Sequence, residues 1–473
     1  MVFSSLYFLL YFLPIFLLFY YASPKKAQNV VALLASCFFY AWGEPEFIII
    51  IITSLILDFY LVQLIEVSRG LRKKRLLALT IILNVGLLVV AKYLNFFVDN
   101  INGIAQLFGG EGIRMARIAL PIGISFITFQ KISYVLDCHQ GRSKPLQRFE
   151  DYALYILLFP QLIAGPIVRF NEIASQLQDR SAHEHIDDRL AGLFRFLIGL
   201  AKKVLIANSV GLVVDDIFSH APDQLNTVTA WVGIIAYSFQ IYFDFSGYSD
   251  MAIGLARMLG FRFPENFNFP YIAQNITEFW RRWHITLSNW MRDYLYIPLG
   301  GNRVSKRRLY FNLCAVFLIS GLWHGAAWTF IFWGAFHGLF LILDRLFLVD
   351  WLKGLGKVPS VLITYLIVLL GWVFFRSPDF SYAFAYIGLL FSFSGNALLV
   401  VTGAKFWFFM LLAVTFSFMG VFNSVEQAGN RFFENELHLG WLSAKALFCA
   451  LISTWSLLEI FASGFNPFIY FQF

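Results

Sequence analysis

Long apolar runs divide the chain of 473 residues, and they constrain its fold more than any other feature. Hydrophobic residues make up 59% of the chain and charged residues 14%, and the mean hydropathy is +0.67. An apolar stretch of about 20 residues is long enough to cross a bilayer as a helix. Such runs lie near residues 3–21, 28–42, 46–65, 76–97, 117–137, 229–243, 309–323, 328–346, 359–375, 405–423 and 441–461. The pattern predicts an all-α, polytopic integral membrane protein.

The middle third of the chain departs from this pattern. Pro160 and Gly165-Pro166 interrupt the apolar region near 152–164, and Lys202-Lys203 interrupts the region 193–213. Irregular segments are tolerated at membrane depth only where they pack on protein or line a wet cavity. We therefore expect roughly 11 to 13 transmembrane helices, with re-entrant or interfacial helices from about 150 to 308. No repeat and no long polar segment is visible, so residues 1–473 are predicted to form a single domain.

The basic residues of the loops indicate the orientation of the chain. The net charge is +7, but the positive residues lie in short loops between apolar runs, which does not indicate nucleic-acid binding. The loops after odd-numbered runs contain Lys25, Lys26, Arg69, Arg72, Lys73, Lys74, Arg75, Arg142, Lys144 and Arg148. The positive-inside rule places these loops in the cytoplasm and the N-terminus outside. The first twenty residues lack a basic start and a cleavage site, so we expect a retained first span.

Several classes of site have no support in the sequence. The four cysteines are scattered without CxxC or metal-ligand spacing, which indicates neither a disulfide framework nor a metal site. No GxSxG, Walker or zinc-binding motif occurs, so the serine hydrolase, NTPase and metalloprotease classes are not favoured.

A basic amphipathic helix is predicted to follow Asn275. This residue and Glu278 form an N-cap and capping-box pair, and Pro298 ends the element. At about 100° per residue, one face carries Phe279, Trp283, Leu287, Trp290 and Tyr294, and the opposite face carries Arg281, His284, Ser288 and Arg292. Guanidinium groups suit phosphate oxygens, so Arg281, Arg282 and Arg292 are candidates to hold the phosphates of a cofactor. Attraction to anionic lipid headgroups explains the same arginines.

His324 is predicted to lie inside the membrane. From Leu309, a rise of 1.5 Å per residue carries the chain ~24 Å by His324, within a hydrocarbon core of about 30 Å. Ionisable groups at such depth are functional candidates by default. A buried neutral imidazole can act as a general base near pH 7. The alternative is a histidine that only hydrogen-bonds a neighbouring helix. Gly321 and Gly325 flank it and leave room for a close neighbour.

Three other polar residues in apolar surroundings are expected to serve structure. His337, in WGAFHG, is predicted to be interior with a structural or supporting role. Asp244 and Asp250 end an apolar run, and we expect them to pair with Arg257 or to cap backbone. A proton-relay role for the two carboxylates is the alternative.

These motifs resemble those of the membrane-bound O-acyltransferase family, and most closely its bacterial alginate O-acetyltransferase branch. The resemblance is carried by WRRWHITLSNWMRDYLYIPLGGNR, SGLWHGAAWTFIFWGAFHG, GISFITFQKISYVLDCHQG, FPQLIAGPIVRF and IYFDFSGYSDMAIGLARMLGF. It covers most of the chain, with core motifs in residues 229–346.

The resemblance implies a ring of transmembrane helices around a thinned centre crossed by a tunnel. The histidines of the family match His324 and His284, which implies that His324 is the catalytic base and His284 a supporting residue. It also implies acetyl-CoA as the acyl donor, used as a substrate and reached from the cytoplasm, with no permanently bound cofactor and no metal. Candidate donor-binding residues are Arg281, Arg282, Ser288 and Arg292.

The same resemblance implies partners and a location. Members of this branch lie in the cell inner membrane among its lipids and work beside extracytoplasmic proteins of the SGNH-hydrolase type. The expected acceptor is a surface polysaccharide such as an alginate-like exopolysaccharide or peptidoglycan. The sequence leaves two alternatives open: a transporter or channel with a histidine-lined path, and an acyltransferase that acts on a lipid alcohol or on teichoic acid.

Overall fold

In the computed structural model, the described residues are 2–393, 402–422, 424, 439–463 and 468–469, and their regular secondary structure is helical throughout. The prediction of an all-α fold is confirmed. The chain divides into two compact units, Met1–Glu184 with Gly260–Phe263, and His185–Leu259 with Pro264–Phe473. The prediction that residues 1–473 form a single domain stays a prediction.

The first unit consists of helices on either side of an extended stretch. Its helices are Tyr7–Phe12, Leu13–Ala22, Lys25–Gly43, Phe47–Val67, Gly70–Leu88, Val89–Tyr93, Leu94–Leu107, Ile124–His139, Phe149–Leu157, Phe159–Leu162, Phe170–Gln178 and Ser181–His183. The expected span at 117–137 is too long, because the helix begins only at Ile124. Pro121 disfavours helical backbone at the residue before it, and Gly123 takes a positive φ of 76°.

The second unit contains the basic segment and His324. Its helices are Ile186–Ala201, Lys202–Ala207, Asn208–Ser219, Pro222–Gln224, Thr227–Met258, Pro270–Ile272, Ile276–Arg282, Ile285–Met291, Arg292–Tyr296, Lys306–His324, Trp328–Leu343, Asp344–Leu348, Val349–Leu355, Lys357–Arg376, Phe380–Phe391, Ala404–Phe418, Met419–Val421 and Leu439–Ser463. The short helices between Leu259 and Lys306 agree with the broken pattern expected there. The Thr227–Met258 helix does not agree with it, because it continues unbroken for 32 residues.

Seven helices in the described parts of the chain are long and apolar enough to cross a bilayer. They are Phe47–Val67, Gly70–Leu107, Ile186–Ser219, Trp328–Leu355, Lys357–Arg376, Ala404–Val421 and Leu442–Ala462. The protein is therefore a multi-pass membrane protein. Large apolar side chains such as Leu18, Ile49 and Leu362 are more than half exposed, which suits contact with lipid tails.

Lys202 and Lys203 do not break the helical path, contrary to our expectation. They lie in one π-helical turn within the continuous segment Ile186–Ser219. Lys202 pairs with Asp250 at 2.6 Å, and Lys203 pairs with Asp244. Because each ammonium meets a carboxylate of the Thr227–Met258 helix, both charges are tolerated in an apolar setting.

Asp244 and Asp250 were expected to pair with Arg257 or to cap backbone. The backbone part is confirmed for Asp244, which accepts from the Ile469 N–H at 2.8 Å, and the pairing with Arg257 is wrong. Asp250 accepts hydrogen bonds from Arg195 at 2.8 and 3.0 Å in addition to its ion pair with Lys202. Arg257 instead bonds Asp188 at 3.1 Å. The Ile186–Ala201 helix supplies Asp188 and Arg195, and this neighbour was not visible as a partner in the sequence.

Four glycines allow the Ile186–Ala201 and Thr227–Met258 helices to touch along their backbones. A Cβ atom on Gly254 would lie 2.5 Å from the carbonyl oxygen of Gly192, and one on Gly247 would lie 2.7 Å from that of Gly199. No real Cβ atom fits at such distances. Small residues at helix interfaces bring backbones together in membranes, where packing replaces the hydrophobic effect between helices.

We predict that Gly254→Ala destabilises the protein by about 1–3 kcal/mol, since the added methyl meets rigid backbone. The measurement is thermal unfolding of the detergent-purified protein. Gly388→Ala is the matched control, because a Cβ there meets nothing within 4 Å in the described structure. Equal unfolding temperatures for the two variants would contradict the close backbone contact.

Candidate active site

A tight helical hairpin carries His324. Its arms are the Lys306–His324 helix and the Trp328–Leu343 helix, joined by three residues. A Cβ on Gly321 would lie 2.3 Å from the carbonyl oxygen of Phe330, and one on Gly325 would lie 2.2 Å from the Phe330 ring. The space that the two flanking glycines leave is therefore filled by the second arm, which fixes His324 at the end of the first.

The hydrogen bond of His324 fixes the tautomer of its neutral form. Its Nδ1–H donates to the carbonyl oxygen of Ser320 at 2.7 Å. A carbonyl oxygen only accepts, so the neutral ring carries its proton on Nδ1 and Nε2 is the basic nitrogen. The side chain is 3% exposed, and aromatic rings of Trp333 and Phe375 lie 4.9 and 5.7 Å from its centre. This is the state a general base requires before it accepts a proton.

The predicted basic helix is broken at His284. The chain forms Ile276–Arg282 and Ile285–Met291, and His284 between them has left-handed backbone with φ of 43°. The imidazole is fully buried, so its predicted place on a polar face is wrong. The break exists because another segment completes the hydrogen bonds of the backbone. The Asn268 N–H donates to the Arg282 carbonyl, and the Ile285 N–H donates to the Asn266 carbonyl, both at 2.9 Å.

The start of the first half-helix follows the prediction. The Asn275 side chain accepts from the Glu278 N–H at 2.7 Å, as an N-cap does. Glu278 reaches back to the N–H of Gln274 rather than to that of Asn275. Asp344, directly after the second arm of the His324 hairpin, accepts from both the N–H and the hydroxyl of Thr277, at 2.7 and 2.8 Å, and so connects this helix to the end of that arm.

A network around Asn266 orients the His284 ring. The Asn266 side-chain oxygen accepts from His284 Nδ1 at 3.0 Å and from the Thr286 hydroxyl at 2.8 Å, and its amide nitrogen donates to Ser249 at 3.0 Å. The ring is thereby fixed with its proton on Nδ1. Its Nε2 is buried and has no hydrogen-bond partner within the described parts of the chain. Burial first, and then the neighbouring His324, lower the pKa of His284 well below its usual value.

Three histidines lie along one row of rings in the second unit. Ring centres follow one another from His284 to Trp323 at 6.2 Å, to His324 at 4.9 Å, to Trp333 at 4.9 Å and to His337 at 5.0 Å. His337 is fully buried, and neither of its nitrogens has a partner among the described residues. The structure thus places two basic imidazole nitrogens, those of His284 and His324, on either side of one indole.

The motifs around these rings also match known proteins. Residues 123–349 match the membrane-bound O-acyltransferase family. A probable alginate O-acetylase of Azotobacter vinelandii is 39% identical over 505 residues, which covers the whole of both chains. The chain belongs to this family. A peptidoglycan O-acetyltransferase of Helicobacter pylori is 39% identical over 81% of this chain and 78% of that protein. A teichoic acid D-alanyltransferase of Bacillus subtilis is 29% identical over 55% of this chain and 70% of that protein.

The resemblance stated from the motifs is thereby confirmed, and this O-acyltransferase is an enzyme. The matched region contains His284, His324 and His337, the Asn266 network and the helices that carry them. The catalytic roles of His324 and His284 stay predictions.

The predicted donor-binding residues occupy different environments. Arg281 is exposed, and its guanidinium has no partner among the described residues. Arg282 is half-buried and donates to Glu278 at 2.8 Å and to the Asn268 carbonyl at 3.2 Å. Arg292 is exposed and donates to Asp293, and Ser288 is half-buried. They do not form one continuous face with His284, because the helix breaks there.

Asn266 is the residue that sequence reasoning missed. It lies 18 positions before His284 in a non-helical segment, and no motif spacing connects the two. The contacts of the Asn266 carboxamide with its polar neighbours form only in the folded chain, so the sequence alone does not indicate them. Its partners Thr286 and Ser249 were missed for the same reason.

We predict that Asn266→Leu lowers the rate of acyl transfer about 10- to 100-fold, because the buried His284 Nδ1–H loses its acceptor and the ring its orientation. The measurement is the steady-state rate of the purified enzyme. Asn289→Leu, at a half-buried position nearby, is the control and is expected to retain activity. Wild-type rates for Asn266→Leu would exclude Asn266 as an orienting residue.

Proposed function

We propose that the enzyme transfers acetyl groups from cytoplasmic acetyl-CoA across the membrane toward hydroxyls of an extracytoplasmic polysaccharide, with His324 as the general base. The observation that carries the proposal is the buried His324 ring, whose bond to Ser320 makes Nε2 the basic nitrogen. The names of two relatives, an alginate O-acetylase and a peptidoglycan O-acetyltransferase, support an alginate-like exopolysaccharide or peptidoglycan as acceptor.

The proposed reaction is one acyl transfer. His324 Nε2 takes the proton of the acceptor hydroxyl as the oxygen forms a bond to the thioester carbonyl carbon. The C–S bond then breaks, and the leaving thiolate receives a proton, which restores neutral His324. Nε2 of His284 is positioned to accept a second hydrogen bond from the acceptor or the thiol. The apolar rings of Trp323, Trp333 and Phe375 exclude water, which would otherwise hydrolyse the thioester.

We propose the remaining architecture on the basis of the family. The 11 to 13 transmembrane helices form a ring around a thinned centre, and a tunnel joins the two sides of the cell inner membrane near His324. The N-terminus lies outside, and Lys25 and Lys26, at the start of the Lys25–Gly43 helix, lie at the cytoplasmic side, as the positive-inside rule favours. An extracytoplasmic partner of the SGNH-hydrolase type receives the acetyl group or completes its transfer.

Arg281 is the leading candidate for the phosphates of acetyl-CoA. Its exposed guanidinium has no partner among the described residues, whereas Arg282 and Arg292 already contact carboxylates. Arg282, Arg292 and Ser288 line the same segment and are proposed to supply further contacts. A charge-assisted bond to phosphate is stronger than a neutral one and suits a bidentate fork.

We predict that His324→Ala lowers acetyl transfer by about 10²- to 10⁴-fold, the contribution of a positioned general base. The measurement is O-acetylation of the surface polysaccharide in cells that contain equal amounts of each variant. His220→Ala is the matched control, since His220 also bonds an i−4 carbonyl, that of Asp216, through Nδ1 but lies at the end of the Asn208–Ser219 helix. Normal acetylation with His324→Ala would remove His324 from the chemistry.

We predict that Arg281→Ala raises KM for acetyl-CoA about 10-fold at nearly unchanged kcat, because it removes a charge-assisted contact to the bound donor. The measurement is the initial rate of thiol release as acetyl-CoA is varied. Arg72→Ala removes the same charge from another exposed position and is expected to leave KM as it is. An unchanged KM in Arg281→Ala would exclude Arg281 from donor binding.

A further inference from the structure

The segment Phe468–Ile469 packs against the helix that supports His284. Phe468 is fully buried. Its ring stacks on Tyr248 at 4.8 Å between centres and lies 6.1 Å from the ring of Phe245. Phe245 in turn meets the His284 ring edge-on at 4.7 Å. Phe468 therefore stands one aromatic ring away from the active-site imidazole.

A hydrogen bond fixes this segment to the same helix. The Ile469 N–H donates to Asp244 Oδ2 at 2.8 Å. Asp244 is 2% exposed and also pairs with Lys203. A buried carboxylate is stabilised only when its oxygens are paired or hydrogen-bonded. The segment thus completes the polar environment of Asp244, one residue before Phe245.

The Asp244–Ser249 turn of the Thr227–Met258 helix supports the His284 ring in two ways. Phe245 packs edge-to-face against the imidazole, and Ser249 accepts from the amide of Asn266, which orients the ring. Tyr248, which stacks on Phe468, lies between these two positions. A shift of this turn of helix would move both supports of His284 together.

We propose that Phe468 and Ile469 are positioning residues for acyl transfer: they fix the Asp244–Ser249 turn and so keep His284 oriented and out of water. The inference rests on the proposed role of His284. It assigns the segment a function in the reaction that neither the family motifs nor the site residues include, since both lie between residues 123 and 349.

The test uses three variants of the full chain and one control. Phe468→Ala removes the ring, and Phe468→Leu keeps an apolar side chain. Ile469→Pro removes the N–H donor to Asp244 together with the isoleucine side chain. Phe461→Ala, on the preceding helix, is the control, because Phe461 is 63% exposed. Each protein is purified, its folded fraction measured by size-exclusion chromatography, and kcat, KM and the pH dependence of kcat determined.

We expect kcat to fall about 10- to 100-fold in Phe468→Ala and Ile469→Pro at unchanged KM, because catalysis is sensitive to small displacements. Phe468→Leu is expected to retain most of the activity. Burial lowers the pKa of His284, so water that reaches the ring raises that pKa toward its usual value. The acidic limb of kcat, where His284 gains a proton, therefore moves to higher pH in the two impaired variants.

Two results would overturn the inference. One is a kcat and pH profile equal to those of the wild type in Phe468→Ala and Ile469→Pro. The other is loss of folded protein in all three variants, which would make the segment a requirement for folding. The His284→Ala variant separates this inference from the proposed function. If His284→Ala is inactive while Phe468→Ala has normal activity, only the inference about Phe468 and Ile469 is wrong. If His284→Ala is fully active, the proposed role of His284 is itself wrong.

Discussion

The left-handed backbone of His284 is the local constraint on which the rest of the site depends. A residue other than glycine in this conformation costs free energy and persists only where its surroundings impose it. Here the Asn266–Asn268 segment imposes it, because its backbone bonds both the end of one half-helix and the start of the next. The break turns the imidazole inward, while Arg281 on the preceding turn stays at the surface. A continuous helix would have left both on the same side.

The surrounding rings give the histidines their chemical character. The carbonyl of Ser320 and the side chain of Asn266 each accept an Nδ1–H, so His324 and His284 both present Nε2 as a base. Trp323 lies between the two rings and Trp333 lies beyond His324. A positive charge on either imidazole is unfavourable in so apolar a setting. The surroundings therefore favour the neutral form of each ring, which is the form that accepts a proton. Glycine contacts along the His324 hairpin keep this geometry rigid.

The sequence predicted the parts of this structure that depend on local pattern. Apolar runs indicated the helices, the run before His324 indicated its burial, and Asn275 with Glu278 indicated where the basic helix begins. The family motifs located both histidines before their surroundings were known. These features depend on residues within a few turns of each other.

The sequence did not predict features that arise from distant partners. Lys202 and Lys203 suggested a break because Asp250 and Asp244 lie more than 40 positions away. Helical periodicity placed His284 on a polar face because it contains no information about Asn266. Arg257 was paired with Asp244 and Asp250 of its own helix, whereas Asp188 of another helix is its partner. Long-range hydrogen bonds and ion pairs override the local periodicity in each case.

The proposed role of His324 is tested most directly by an experimental structure of the enzyme with a non-hydrolysable acetyl-CoA analogue, determined by electron cryomicroscopy. We predict that the acetyl carbonyl carbon lies within a few Å of His324 Nε2 and that the phosphates contact Arg281. An acetyl group that is separated from both His324 and His284 by intact protein, or a histidine row that faces bulk solvent, would contradict it.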